Sequence, residues 1–106
     1  KHCIIVDDLI DTGSTLCKSA ETLVEMGAKS VMACASHGLF NGPALERIDM
    51  SCLHTVIVSD TIPLRPDATS KVRVVSCAQL VGQAISCVVT GQSLSALYFA
   101  KDSAAP

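Results

Sequence analysis

A chain of 106 residues with a formal charge of −2 has room for one domain at most and no general attraction for nucleic acid or an anionic membrane surface. Apolar residues make up 49% of it and aromatics 3%, which fits a soluble, cytoplasmic polypeptide with a modest core, without secretory pattern or membrane span. The six cysteines form no Cys-x-x-Cys pair and no zinc-like set with His2, His37 and His54, so they read as reduced thiols acting as small hydrophobes, with no metal centre of their own.

The predicted elements alternate. Residues 2–7, around Cys3-Ile4-Ile5-Val6, read as a strand. Residues 15–26 carry Leu16, Ala20, Leu23 and Val24 at helical spacing, with Lys18, Glu21 and Glu25 on the other face, and Gly27 ends that helix. Ser30 to Ser36 is an apolar run of strand length, typical of a buried parallel strand. A short helix is expected from Pro43, a residue suited to the first helical position, through Ile48. Thr55 to Val58 forms a third strand, residues 63–70 a surface loop and Val72 to Val75 a fourth strand. Residues 78–89 give a second long helix with Leu80, Val81, Ala84, Ile85 and Val88 on one side. This order predicts an α/β fold, a mostly parallel sheet flanked by helices with right-handed crossovers.

Function is concentrated near the front. Asp7-Asp8-Leu9-Ile10-Asp11-Thr12-Gly13-Ser14-Thr15 follows directly on the first apolar run and places three carboxylates and three hydroxyls where an open α/β sheet binds its ligands. Carboxylates accept hydrogen bonds, so Asp7 and Asp8 suit the vicinal hydroxyls of a furanose. Thr12, Gly13, Ser14 and Thr15 offer hydroxyls and consecutive amides at a helix start, which suit a phosphate. Asp11 is grouped with the phosphate residues by position, yet its charge would be repelled there; its side chain, the one possible catalytic group of the segment, is expected to turn away to cap the loop or to face the anomeric hydroxyl or a metal-bound water. An ordinary capped helix is the plain alternative, although a cap uses one such residue and this stretch has six.

Val6 to Thr15 resembles the loop signature of type I phosphoribosyltransferase folds, and the continuation resembles one branch, the ribose-phosphate diphosphokinases (PRPP synthetases). Three further segments carry that resemblance in register: Ser36-His37-Gly38-Leu39-Phe40-Asn41-Gly42-Pro43-Ala44, Ser59-Asp60-Thr61-Ile62-Pro63, and Gly91-Gln92-Ser93-Leu94-Ser95-Ala96-Leu97-Tyr98. The resemblance implies that residues 1–106 are the carboxyl-terminal part of a two-domain enzyme, inactive alone, with its ATP site and most Mg²⁺ ligands upstream. It implies diphosphoryl transfer from ATP to O1 of ribose 5-phosphate, giving PRPP and AMP, in a homo-oligomer that is commonly a hexamer. It also implies an allosteric site that includes Ser93, Leu94, Ser95 and Tyr98. A catalytically silent associated subunit and a phosphoribosyltransferase that uses PRPP are the alternatives.

Val74 to Ala100 contains no charged side chain. A helix in such a stretch is usually covered on more than one side, by its own sheet and by either a second subunit or the missing half of the same polypeptide. His37 either faces the ligand crevice or satisfies a nearby carbonyl, Asn41-Gly42 reads as turn chemistry, and His2 and His54 have no evident partner.

Overall fold

A computed structural model describes residues 1–99. The elements run β1 (His2–Ile10), α1 (Ser14–Glu25), β2 (Ser30–Gly38), α2 (Ala44–Met50), β3 (Leu53–Ser59), β4 (Val72–Val75), α3 (Ala78–Thr90) and α4 (Ser95–Phe99). They fall into two compact units, the first comprising Lys1–Ser76 and the second beginning at Cys77.

In the first unit the four strands pair in the order β1-β2-β3-β4, all parallel. Because the strand order advances in one direction, right-handed crossovers place α1 and α2 on the same face of the sheet. These helices touch each other and share one core with the sheet. Val31, Ala33 and Ala35 of β2 and Val56 and Val58 of β3 meet Ala20 of α1 and Ile48 of α2 in that layer. On α1 the buried positions are Cys17 and Ala20, with Leu16 and Leu23 partly buried, whereas Val24 lies at the edge of the stripe and is exposed.

The strands are less uniformly buried than their apolar composition predicts. Cys3 and Ile5 pack on the core, while Ile4 and Val6, which alternate with them, are 62% and 78% exposed. The alternation follows from the topology: both crossover helices cover one face, so only that face of β1 is filled. Pro43 occupies the cap position of α2, one residue before the helix proper.

β1 runs three residues beyond its predicted end and β2 two, and the extensions pair: Leu9 with His37 and Ile10 with Gly38. Just past that point the chain turns sharply. Phe40 has φ 52°, a left-handed conformation unusual for a bulky side chain, and its ring is buried at 1% exposure. The ring fits only because residue 38 is glycine; a Cβ there would stand 2.5 Å from Phe40 Cε2 and 3.1 Å from Val58 Cγ1.

In the second unit α3 ends at Gly91, where the Gln92 amide returns to the Cys87 carbonyl at 2.9 Å. On its apolar side Leu80, Val81, Ile85 and Val88 are 58%, 49%, 58% and 70% exposed in this chain, and Cys87 is the buried residue of the helix. Ala100, the last position of the uncharged stretch, lies outside the described residues. No helix among the described residues is long and apolar enough to cross a membrane.

No disulfide joins any of the six cysteines. Burial pushes the Cys17 thiol above its ordinary value of 9.0, with Glu21 and Cys52 adding to the shift and a Ser51 hydrogen bond and Arg47 opposing it. Cys52 is exposed. Alkylation followed by mass spectrometry at about pH 8 should therefore modify Cys52 well before Cys17, because the thiolate is the reactive form and Cys17 stays protonated until the pH passes its ordinary value. Equal labelling of the two would contradict this arrangement. For Gly38→Ala we expect a loss of about 1–3 kcal/mol in denaturant stability, since the added methyl drives the Phe40 ring out of its slot.

Candidate functional site

At the carboxyl edge of the sheet, β1 delivers the chain into a turn and then into α1. Gly13 caps that helix with φ 78°, a conformation that glycine adopts without steric cost. No side chain caps the first turn, although Asp11, Thr12 and Ser14 stand next to it. The Cys17 amide is the first to return into the helix, reaching the Gly13 carbonyl at 3.0 Å. The amides of Ser14, Thr15 and Leu16 therefore have no acceptor within the helix, and the positive end of its dipole is presented with them.

A cavity of about 260 Å³ opens at this turn, lined by Asp7, Asp11, Thr12, Gly13 and Thr15 together with Leu9, Ile10 and Leu16. Five of the seven candidate binding residues are thus brought to one place. Asp8 and Ser14 are not on its wall. For Asp8 the reason is strand geometry: β1 is still extended there, so consecutive side chains leave opposite faces. Asp7 Oδ1 accepts the Asp8 amide at 2.8 Å, which fixes the carboxylate. Ser14 Oγ lies 3.5 Å from Thr12 Oγ1, at the limit of hydrogen bonding.

The segment after β2 braces this turn. Leu39 and Phe40 amides both donate to the Ile10 carbonyl, at 2.9 and 3.3 Å, and the Asn41 amide donates to the Asp11 carbonyl at 3.0 Å. The side chain of Asn41 reaches the same residue, with Nδ2 donating to Asp11 Oδ1 at 2.8 Å. From α2, Arg47 Nη1 donates to the Thr12 carbonyl at 3.1 Å, and a Cβ on Gly13 would meet Ala44 in ordinary contact at 3.7 Å. Sequence reasoning missed Asn41 and Arg47 at this turn. Asn41 carries an ordinary turn signal, and Arg47 sits on a helix whose charge pattern looks like a solvated face.

The histidines all find hydroxyl partners. His37 Nδ1 shares a hydrogen bond with Thr61 Oγ1 at 2.7 Å, a hydroxyl and not the carbonyl considered from sequence. Thr61 and Ser59 hydroxyls both donate to the Ser36 carbonyl, so the Ser59-Asp60-Thr61 segment is tied to the end of β2. His2 pairs with Ser30 Oγ at 2.7 Å and His54 with Thr55 Oγ1 at 2.8 Å. Among the described residues no three His, Cys, Asp or Glu side chains converge as a metal site would require. In the second unit Ser93 and Ser95 hydroxyls bond each other at 2.6 Å, while Leu94 and Tyr98 are exposed. A larger cleft, about 580 Å³, opens beside α2, where Arg65 pairs with Asp67 at 2.9 Å and Thr69 with Asp49 at 2.7 Å.

A parallel α/β sheet whose first strand feeds an uncapped, hydroxyl-lined helix start at its carboxyl edge belongs to the class of folds that hold anionic ligands there. The chain belongs to the phosphoribosyl synthetase-associated domain family, whose sequence profile matches residues 1–99. It is 48% identical over 98 residues to a ribose-phosphate pyrophosphokinase of Aquifex aeolicus (strain VF5), covering 92% of this chain and 32% of the relative. It is 46% identical over 100 residues to the Pasteurella multocida (strain Pm70) ribose-phosphate pyrophosphokinase, with the same coverage. Among solved structures, phosphoribosylpyrophosphate synthetase from Mycobacterium smegmatis superposes with a TM-score of 0.84 at 37% identity, over 86% of this chain and 31% of that one. The chain thus spans about a third of the length of the relatives it matches.

Gly13→Ala tests the turn itself. Ala44 leaves space for the methyl, so the cost comes from the left-handed backbone, about 1 kcal/mol of denaturant stability. A neutral result would mean that the turn adopts another conformation.

Proposed function

We propose that this chain is the ribose 5-phosphate-binding part, at the carboxyl-terminal end, of a ribose-phosphate pyrophosphokinase, which transfers a diphosphoryl group from ATP to O1 of ribose 5-phosphate and yields PRPP and AMP. The observation that carries the reading is the uncapped first turn of α1, three amides beside the cavity that Asp7 also lines. An anion at that turn satisfies donors that nothing else in the helix satisfies. The names of the relatives give that anion its chemistry.

Under this reading the work divides along the chain. Asp7, on the cavity wall, accepts hydrogen bonds from the ribose hydroxyls, while Asp8, whose side chain leaves the other face of β1, holds that carboxylate through its amide; the Ser14, Thr15 and Leu16 amides with the hydroxyls of Thr12 and Thr15 hold the 5-phosphate. Fixing both ends of the sugar orients O1 toward ATP, and orientation is the main contribution a protein makes to this reaction type. Mg²⁺, when bound, would neutralise charge on the transferred group, and under this reading its ligands lie mainly in the rest of the polypeptide. The uncharged run through α3 and its exposed apolar side chains support homo-oligomeric assembly of the complete protein.

Replacing Asp7 with Ala in the complete polypeptide should raise KM for ribose 5-phosphate about tenfold or more, the scale of lost charge-assisted hydrogen bonds, with far less effect on KM for ATP. Equal effects on both substrates would refute the ribose assignment. Release of AMP from ATP in the presence of ribose 5-phosphate separates this activity from that of a phosphoribosyltransferase or a silent subunit.

A further inference from the structure

The Asn41–Asp11 contact poses an electrostatic question. Asp11 lines the same cavity as Thr12, Gly13 and Thr15, so a freely rotating carboxylate there would share the space with the anion that those residues suit. Two unit charges about 4 Å apart repel by about 1 kcal/mol even in water, and a doubly charged phosphate about doubles that. Asp11 is instead held at two points by one residue: its carbonyl takes the Asn41 amide at 3.0 Å, and its Oδ1 takes Asn41 Nδ2 at 2.8 Å.

Asn41 is itself delivered by an unusual backbone. Gly38 admits the buried Phe40 ring, and Phe40 at φ 52° redirects the chain so that both donors of the next residue meet Asp11. Left-handed geometry at a bulky residue is maintained only where the surroundings over-determine it, and such residues cluster at ligand-holding sites. The Leu39 and Phe40 amides on the Ile10 carbonyl lock the two segments in register.

We infer that Asn41 is a positioning residue that holds the Asp11 carboxylate away from the phosphate locus, keeping the anion site free of a competing negative charge. The inference rests on the proposed ribose 5-phosphate reading and adds to it the device that makes a carboxylate tolerable inside a phosphate-binding turn. It assigns Asn41 no contact with substrate.

The test is a rescue experiment in the complete polypeptide, with affinity for ribose 5-phosphate and for unphosphorylated ribose measured by calorimetry. Asn41→Ala frees Asp11 and should weaken ribose 5-phosphate binding about tenfold, the scale of the added repulsion, while ribose binding changes little. Adding Asp11→Asn to Asn41→Ala removes the charge and should recover most of the loss. A purely structural role for Asn41 predicts no such recovery, because the second substitution repairs no contact. Unchanged affinity in Asn41→Ala, or a loss that Asp11→Asn leaves in place, overturns the inference while the ribose 5-phosphate reading stands. Absence of ribose 5-phosphate binding by the unsubstituted protein overturns both.

Discussion

The carbonyl of Ile10 holds the candidate site together. It is the last acceptor of β1 and takes the amides of both Leu39 and Phe40, so the ends of β1 and β2 are joined just where each strand gives way to a turn. Without that junction the nine residues from Asp7 to Thr15 would be an ordinary surface connection. Ordering such a connection costs about 1–2 kcal/mol per residue in backbone entropy. With it, that cost is met during folding by the parallel ladder, and a ligand meets a turn already in place.

Core packing reaches the turn by a second route. Ala44, Leu45 and Ile48 bury the inner face of α2, and this places Ala44 under Gly13 and sends Arg47 to the Thr12 carbonyl. A helix of seven residues has little stability of its own, so its position is set by those three side chains. The geometry of the turn therefore depends on apolar packing as well as on the polar residues that line it, and a substitution in the core would be felt at the cavity.

What was legible in the sequence divides along the range of the interactions. Val72 to Val75 and the helix that ends at Gly27 follow from local composition and period, and the structure has them at the expected places. The extension of β1 from Asp8 through Ile10 was not legible, because these residues read locally as a turn and only the pairing of Leu9 and Ile10 with His37 and Gly38 makes them strand. Asn41 and Arg47 were missed at the site for the same reason: their partners Asp11 and Thr12 are 30 and 35 positions away, and no periodicity records such a bond. Cys17, at the centre of the helical stripe of α1, is buried while the more apolar Val24 at its edge is exposed, so position on the stripe outweighs residue type.

The three carboxylates at this edge differ in how each is restrained, and the difference follows the chain direction. Asp7 accepts the Asp8 amide from within β1, Asp8 leaves the opposite face of the strand, and Asp11 accepts Asn41 from the neighbouring segment. Past Asp11 the backbone turns from exposing acceptors to exposing donors, since the helix starts with amides that have no internal partner. The segment is therefore polarised, acceptor-rich at the strand and donor-rich at the helix. A phosphorylated sugar has the opposite polarity along its length, hydroxyl donors at one end and an anion at the other. Reversing the ligand would bring phosphate against Asp7 and hydroxyls against bare amides, so under the proposed reading the order of residue types along this one turn selects a single direction of binding.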